Sequence, residues 1–409
     1  YHPDPVQNKA IPPVMKGQDV MGLAQTGTGK TAAFALPILN RLMKGKRGQV
    51  RALIVAPTRE LAEQIPQSFE VLGKKTSLKS MPIYGGVSIN PQKQKIKRGV
   101  DIVVACPGRL LDHLGQGTIS LKNLEVLVLD EADHMFDMGF LPDIRRIIKQ
   151  VPANRQTLLF SATMPAQIRH LAKTVLKNPI TVQVGVTAPA ETVRHALFPV
   201  EPQRKTALLL ELLRTTDNSS VLVFTRTKHR AKQIGTKLAK AGYRSTSLQG
   251  NLSQNKRQAA LEGFRSGRFQ ILVATDIAAR GIDVSRISHV INYDIPSTPE
   301  AYIHRIGRTG RASSTGDAFT LITSEDTQMA TAIDRVLGSK VERRMIPDFD
   351  YGNLVQTEAR RDTKGSKPLK RWEPAATYAA LRRKQASWKK NRNRRSGPSA
   401  VSRTQRSAA

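Results

Sequence analysis

The sequence predicts an α/β protein of two tandem lobes, each a parallel sheet covered by helices on both faces, followed by a basic disordered tail. Three observations lead there. Short β-branched apolar runs alternate with helical segments, the series breaks once, and composition changes sharply near residue 350. In the first lobe the runs are Asp19–Leu23, Ala52–Ala56, Asp101–Ala105, Val126–Asp130 and Thr157–Phe160. They resume at Val221–Thr225, Ile271–Thr275, His289–Asn292 and Ala318–Ile322. The break falls at Val184–Thr192, where Gly185 and Pro189 sit in a polar patch. This divides the chain into lobes at 1–188 and 193–350 and a tail at 351–409. No repeat with a period of about 20–50 residues is evident.

The length of 409 residues suits two to three domains at about 150 residues each. With 39 % apolar residues the chain can bury sizeable cores. The single Cys106 excludes a disulfide scaffold or a thiolate zinc cluster and fits a reducing, cytoplasmic compartment. No apolar run reaches the 18 or so residues of a membrane span, and residues 1–5 lack the pattern of a secretory leader. Because the chain does not begin with Met, a trimmed upstream segment is expected. Lys and Arg number 65 against 32 Asp and Glu, a net charge of +33, which points to a polyanionic partner, nucleic acid first. Residues 352–409 hold 16 of the basic and 3 of the acidic residues and few large aliphatics, the signature of a disordered tail. Within it, Pro374–Lys390 has the composition of a short helix.

The strongest local signal is Ala24-Gln25-Thr26-Gly27-Thr28-Gly29-Lys30-Thr31, between the run Asp19–Leu23 and a helical segment, Ala32–Leu42. A Gly-rich turn between strand and helix offers backbone N–H groups to phosphates. Lys30 then neutralises β/γ oxygens and the Thr31 hydroxyl suits Mg²⁺. Ala24 replaces the glycine usual at the first position. The second half is Val126–Leu129 followed by Asp130-Glu131-Ala132-Asp133: carboxylates at the C-terminal end of a buried strand, where α/β sheets place ligands. Asp130 suits a metal-holding role and Glu131 one that orients or deprotonates the attacking water. Together the halves indicate ATP or GTP hydrolysis.

Asp130-Glu131-Ala132-Asp133, Ser161-Ala162-Thr163 and His304-Arg305-Ile306-Gly307-Arg308-Thr309-Gly310-Arg311 resemble the motifs of the DEAD-box RNA helicase family, over residues 1–350. Met138-Gly139-Phe140 and Leu222–Lys228 look most like its bacterial RhlE-type subgroup. The resemblance implies two RecA-like domains of the P-loop NTPase type, ATP and Mg²⁺ as cofactors, and RNA-stimulated ATPase activity. Gln7 matches the residue that reads the adenine edge, favouring ATP over GTP. Arg308 and Arg311, three apart on an expected helical turn, match arginine fingers, and Gly281 with Asp283 matches a ribose contact. Ser161, Thr163, Asp133 and His304 match residues that couple hydrolysis to unwinding.

Further runs match the family's RNA contacts: Pro57-Thr58-Arg59, Gly85-Gly86, Pro107-Gly108-Arg109, Thr225-Arg226, Gly250, Gln254 with Arg257, and Thr275. Arginines, hydroxyls and Gly-turn amides bind phosphate without reading bases, so binding of single strands and short duplexes is expected to be sequence-independent and salt-sensitive. Cys106 and Gln249 depart from the Thr and His common at those positions. The tail, with Trp372, Tyr378 and Trp388 among its basic residues, suits an RNA tether. The reading is a monomeric ATP-dependent RNA helicase; an ATP-gated RNA clamp and a tail-driven RNA chaperone are the alternatives.

Overall fold

The structure is a computed structural model. It describes residues 2–24, 27–184, 193–216, 219–279, 287–310 and 316–352, and the backbone of 370–371. The linker at 185–192, the expected tail helix, Trp372, Tyr378 and Trp388 lie outside the described residues.

The first sheet comprises β1 (Val20–Leu23), β2 (Ala52–Val55), β3 (Ser80–Ile83), β4 (Ile102–Ala105), β5 (Val126–Leu129), β6 (Gln156–Ser161) and β7 (Ile180–Gln183). Its seven strands are ordered β3-β4-β2-β5-β6-β1-β7, every pair parallel. The second comprises β8 (Val193–Pro199), β9 (Val221–Phe224), β10 (Ser245–Leu248), β11 (Ile271–Ala274), β12 (His289–Asn292), β13 (Gly316–Ile322), β14 (Glu342–Met345) and β15 (Lys370–Arg371). Its order is β10-β11-β9-β12-β13-β8-β14-β15.

Parallel strands covered by helices on both faces must be apolar throughout. All four residues of β2, β4, β5, β9 and β11 are buried. Alternate side chains feed opposite cores: Ala52 and Ile54 join Phe34, Phe69 and Phe160, whereas Leu53 and Val55 join Leu110, Met135 and Ile144. Gly22 in β1 makes room for the Phe160 ring, which a Cβ there would strike. The second lobe repeats the plan, with Tyr302 and Ile306 on one face and Leu208, Leu212 and Ile234 on the other.

Strand order places the site. Because β5, β6 and β1 are adjacent, residues 130–133, Ser161 at the end of β6 with 162–163, and Ala24 with 27–31 lie at one edge. The expectations above lack β3, β7, β8, β10, β14 and β15, all but β8 and β14 at a sheet margin. Strands β3, β10 and β14 are half-exposed and three of the four β7 residues are exposed, so no continuous apolar run announces them, while in β8 Arg194 and His195 interrupt the apolar run. The helix expected to carry Arg308 ends at Ile306.

Candidate nucleotide site and contacts between the lobes

The phosphate loop is shaped by Gly27 and Gly29, whose φ angles of 85° and 84° favour glycine. Lys30 opens the helix Lys30–Leu42 and is buried, with Nζ lacking a hydrogen-bond partner among the described residues. A buried ammonium without such a partner is costly unless an anion completes it. Gly27, Gly29, Lys30, Thr31, Asp130 and Glu131 line one cleft of about 680 Å³, a volume that suits a nucleotide. Ala24 ties the loop to β6 through its N–H to the Ser161 carbonyl, 3.0 Å. Gln25 and Thr26 lie outside the described residues.

Asp130 is buried and accepts the Glu131 N–H at 2.9 Å. Burial pushes its carboxyl up to about 6, with Glu131 and Asp133 adding to the rise and Lys30 opposing it. The acidic Asp130, the Thr31 hydroxyl and the partnerless Lys30 Nζ are a donor set that fits a magnesium-bound triphosphate. Burial would also raise Glu131, but His134, Lys30 and Arg308 hold its carboxyl well below the usual range. Glu131 sits in the left-handed backbone region (φ 52°, ψ 51°), and its Oε2 accepts from His134 Nδ1 at 2.9 Å.

Asp133 binds the loop after β6. Its Oδ2 accepts from Ala162 N (3.1 Å), Thr163 N (2.8 Å) and Thr163 Oγ1 (3.0 Å), while its own N–H donates to Ser161 Oγ (3.2 Å). From the second lobe, His304 Nε2 lies 3.8 Å from the same Oδ2. Arg308 is buried in a turn beyond its helix, lines the crevice beside His134 and His304, and lowers Glu131 electrostatically. Its expected place on a helical turn is thus corrected: the helix stops two residues earlier. Arg311, Gly281 and Asp283 lie outside the described residues.

Gln7 has partners that the adenine role does not foresee. Its Nε2 donates to Asp4 Oδ2 (3.0 Å) and the Gly29 carbonyl (3.3 Å), and its Oε1 accepts from Asp4 N (3.2 Å). The amide therefore ties the start of the first helix to the phosphate loop.

In the first lobe, Thr58 caps the helix Arg59–Leu72 by accepting from Leu61 N at 3.2 Å. Arg59 and Arg109 converge on the Gly85–Gly86 turn: a Cβ at Gly86 would strike the Arg59 guanidinium, and Arg109 donates to the Val87 carbonyl at 3.1 Å. Pro107 begins the next helix and Gly108 is exposed beside it. In the second lobe, Arg226 and Gly250 are exposed and Thr275 is half-buried at the end of β11. Three residues expected to touch RNA are turned elsewhere. Thr225 is fully buried, its hydroxyl donating to the Thr227 carbonyl (3.3 Å). Gln254 is buried, with neither amide atom in a hydrogen bond among the described residues. Arg257 reaches across to the first lobe, where it pairs with Glu60 Oε1 at 2.7 Å. Beside it Gln258 donates to Glu63 Oε2 (2.6 Å).

His134, Glu60 and Asp4 are the partners that sequence reasoning missed. His134 carried a signal in its i,i+3 spacing from Glu131 at a helix start, and Asp4 one in the capping-box pattern Asp4-Pro5-Val6-Gln7; Glu60 carried none for its partner in the other lobe.

A phosphate loop, strand-end carboxylates and an arginine supplied by a second sheet define a two-lobed P-loop nucleoside triphosphatase. The DEAD/DEAH box helicase family model matches residues 4–171, and the helicase conserved C-terminal domain matches 204–313. The chain is 43 % identical over 356 residues to the DEAD-box ATP-dependent RNA helicase RhpA of Helicobacter pylori (strain B128), covering 87 % of this chain and 72 % of that protein. It is 44 % identical over 349 residues to CshA of Geobacillus kaustophilus (strain HTA426), 85 % and 74 % covered. Among solved structures it superposes on S. cerevisiae Dbp5 bound to RNA and ADP BeF3 with a TM-score of 0.75, at 29 % identity, over 88 % of this chain and 93 % of that one. The chain belongs to the DEAD-box ATP-dependent RNA helicase family.

Proposed function

We propose that the chain uses ATP-driven closure of its lobes to open short RNA duplexes locally or to remodel RNA–protein complexes. The observation that carries this reading is that second-lobe groups reach the first lobe at two places, Arg308 in the crevice beside His134, where it acts on Glu131, and Arg257 in an ion pair with Glu60. Lys30 binds the phosphate oxygens, and Thr31 and Asp130 would hold Mg²⁺, which would supply positive charge to the triphosphate. Glu131, whose carboxyl His134, Lys30 and Arg308 lower against the effect of burial, orients the attacking water or accepts its proton. Arg308, joined by Arg311, stabilises charge on the transferring phosphoryl group. Hydrolysis is thereby gated by closure.

Single-stranded RNA lies across both lobes along Arg59, Gly85–Gly86, Arg109, Arg226 and Gly250. Its backbone is gripped independently of sequence, and RNA is preferred over DNA through 2′-OH contacts. A strand bent in this grip cannot keep its partner stacked. We place the chain in the RhlE-type subgroup on the wording of residues 138–140 and 222–228, and read it as a cytoplasmic monomer whose tail tethers RNA. Deleting 352–409 should weaken RNA affinity and flatten its salt dependence while sparing turnover at saturating RNA. Strand separation of a short duplex, measured with ATP, without ATP and with Glu131→Gln, tests the reading. Opening that needs ATP and fails in the variant supports it; ATP-gated binding without opening indicates a clamp, and ATP-independent melting a chaperone.

A further inference from the structure

His134 lies one turn beyond Glu131 on the short helix Ala132–Asp137, and both side chains are only 4 % exposed. Because a carboxylate only accepts, the 2.9 Å contact makes Nδ1 the donor and fixes the imidazole tautomer. The bond bears on a residue that needs holding, since Glu131 adopts a backbone conformation uncommon for any residue with a side chain. On its other side, the His134 ring meets that of His304 from the second lobe edge-to-face, with centroids 5.0 Å apart and planes at 85°. Both histidines and Arg308 line the same crevice between the lobes. His134 therefore touches the residue that faces the attacking water and, at once, the lobe whose arrival completes the site.

We propose that His134 is a positioning residue that fixes the Glu131 carboxylate, and that His304 holds His134 in that pose only when the lobes are closed. This rests on the reading of Glu131 given above. In the open state the imidazole loses its packing partner and its rotamer is no longer confined, so the carboxylate it steers is misaligned. ATP cleavage is suppressed until RNA and ATP have brought the lobes together, without any change in how either ligand is held.

The test is RNA-stimulated ATPase activity of the full chain at saturating RNA, alongside RNA affinity in the presence of a non-hydrolysable ATP analogue. His134→Ala should lower kcat by roughly 10–100-fold, the size typical of outer-shell partners. Its KM for ATP and its RNA affinity should stay within about twofold of wild type, as expected of a group that acts on the transition state alone. His134→Asn, whose amide nitrogen falls near the position of Nδ1, should recover kcat to within about threefold of wild type. His304→Ala should lower kcat in the wild-type background but by less than about twofold in His134→Ala, because groups acting as a unit are not additive. Wild-type turnover in His134→Ala, equal impairment of the Ala and Asn variants, or the same His304→Ala factor in both backgrounds would overturn the proposal. Glu131→Gln separates the two levels: if it turns over normally, the role of Glu131 itself is wrong; if it is inactive while His134→Ala is normal, only the positioning role fails.

Discussion

Arg257 of the second lobe is ion-paired with Glu60 of the first at 2.7 Å, and both side chains are nearly buried. A charge pair at this depth strongly penalises loss of either member, because the other is left without compensation. Opening the lobes returns both groups to water, so the penalty falls on the closed state. Arg257→Ala is expected to weaken RNA binding in the presence of an ATP analogue by about tenfold, or about 1.4 kcal/mol. Nucleotide binding by the first lobe should be spared. The reversed pair Glu60→Arg with Arg257→Glu should regain part of the loss, measured by fluorescence anisotropy of labelled RNA.

Gly29 has φ 84°, and a Cβ there would collide with the side chains of Asp4 and Gln7. Gly29→Ala should therefore displace the first helix from the phosphate loop and strain the loop itself. The expected result is a fall of more than about 100-fold in kcat/KM for ATP, near 2.7 kcal/mol. RNA binding without nucleotide should persist, as steady-state kinetics and anisotropy would establish.

Burial raises Asp130 to about 6, whereas His134, Lys30 and Arg308 overcome the effect of burial on Glu131 and keep it ionised. The acid limb of kcat/KM for ATP should then fall near pH 6 and reflect Asp130, since kcat/KM reports the free enzyme. The signs for stability are opposite. A raised acid such as Asp130 stabilises the fold fully below its unfolded value of 3.8, and this is lost as pH rises through about 6. A lowered acid such as Glu131 stabilises above its unfolded value of 4.5 and is lost as pH falls. An acid limb near pH 4 would show that the burial of Asp130 does not govern binding.

Cys106 follows β4 and precedes the helix that Pro107 begins, is 8 % exposed, and has its thiol pushed up to about 12, chiefly by burial and then by Glu60. Alkylation by iodoacetamide at pH 8 should be more than about tenfold slower in the native protein than in urea. The raised thiol also means that its contribution to stability, full below the unfolded value of 9, is lost as pH rises toward 12.

The central strands were legible because burial on both faces forces continuous apolar runs such as Ala52–Val55 and Ile271–Ala274. Ser80–Ile83 and Glu342–Met345 were not, since half-exposed strands carry mixed side chains, and Pro82 reads as a breaker. Lys30, Asp130 and Glu131 were legible from loop and strand-end chemistry. The contacts of Gln7 with Gly29 and of Arg257 with Glu60 were not, because each depends on what folding brings near: the phosphate loop to one, the opposite lobe to the other. A sequence pattern assigns a residue type to a task, but not the neighbour that competes for its hydrogen bonds.

Lobe closure is tested most directly by single-molecule energy transfer between one dye on each lobe. A short separation, populated only when an ATP analogue and single-stranded RNA are present together and needing about tenfold more RNA in Arg257→Ala, is expected. An interlobe separation that is the same with neither ligand, either one or both would contradict the assembly of one hydrolytic site from two lobes.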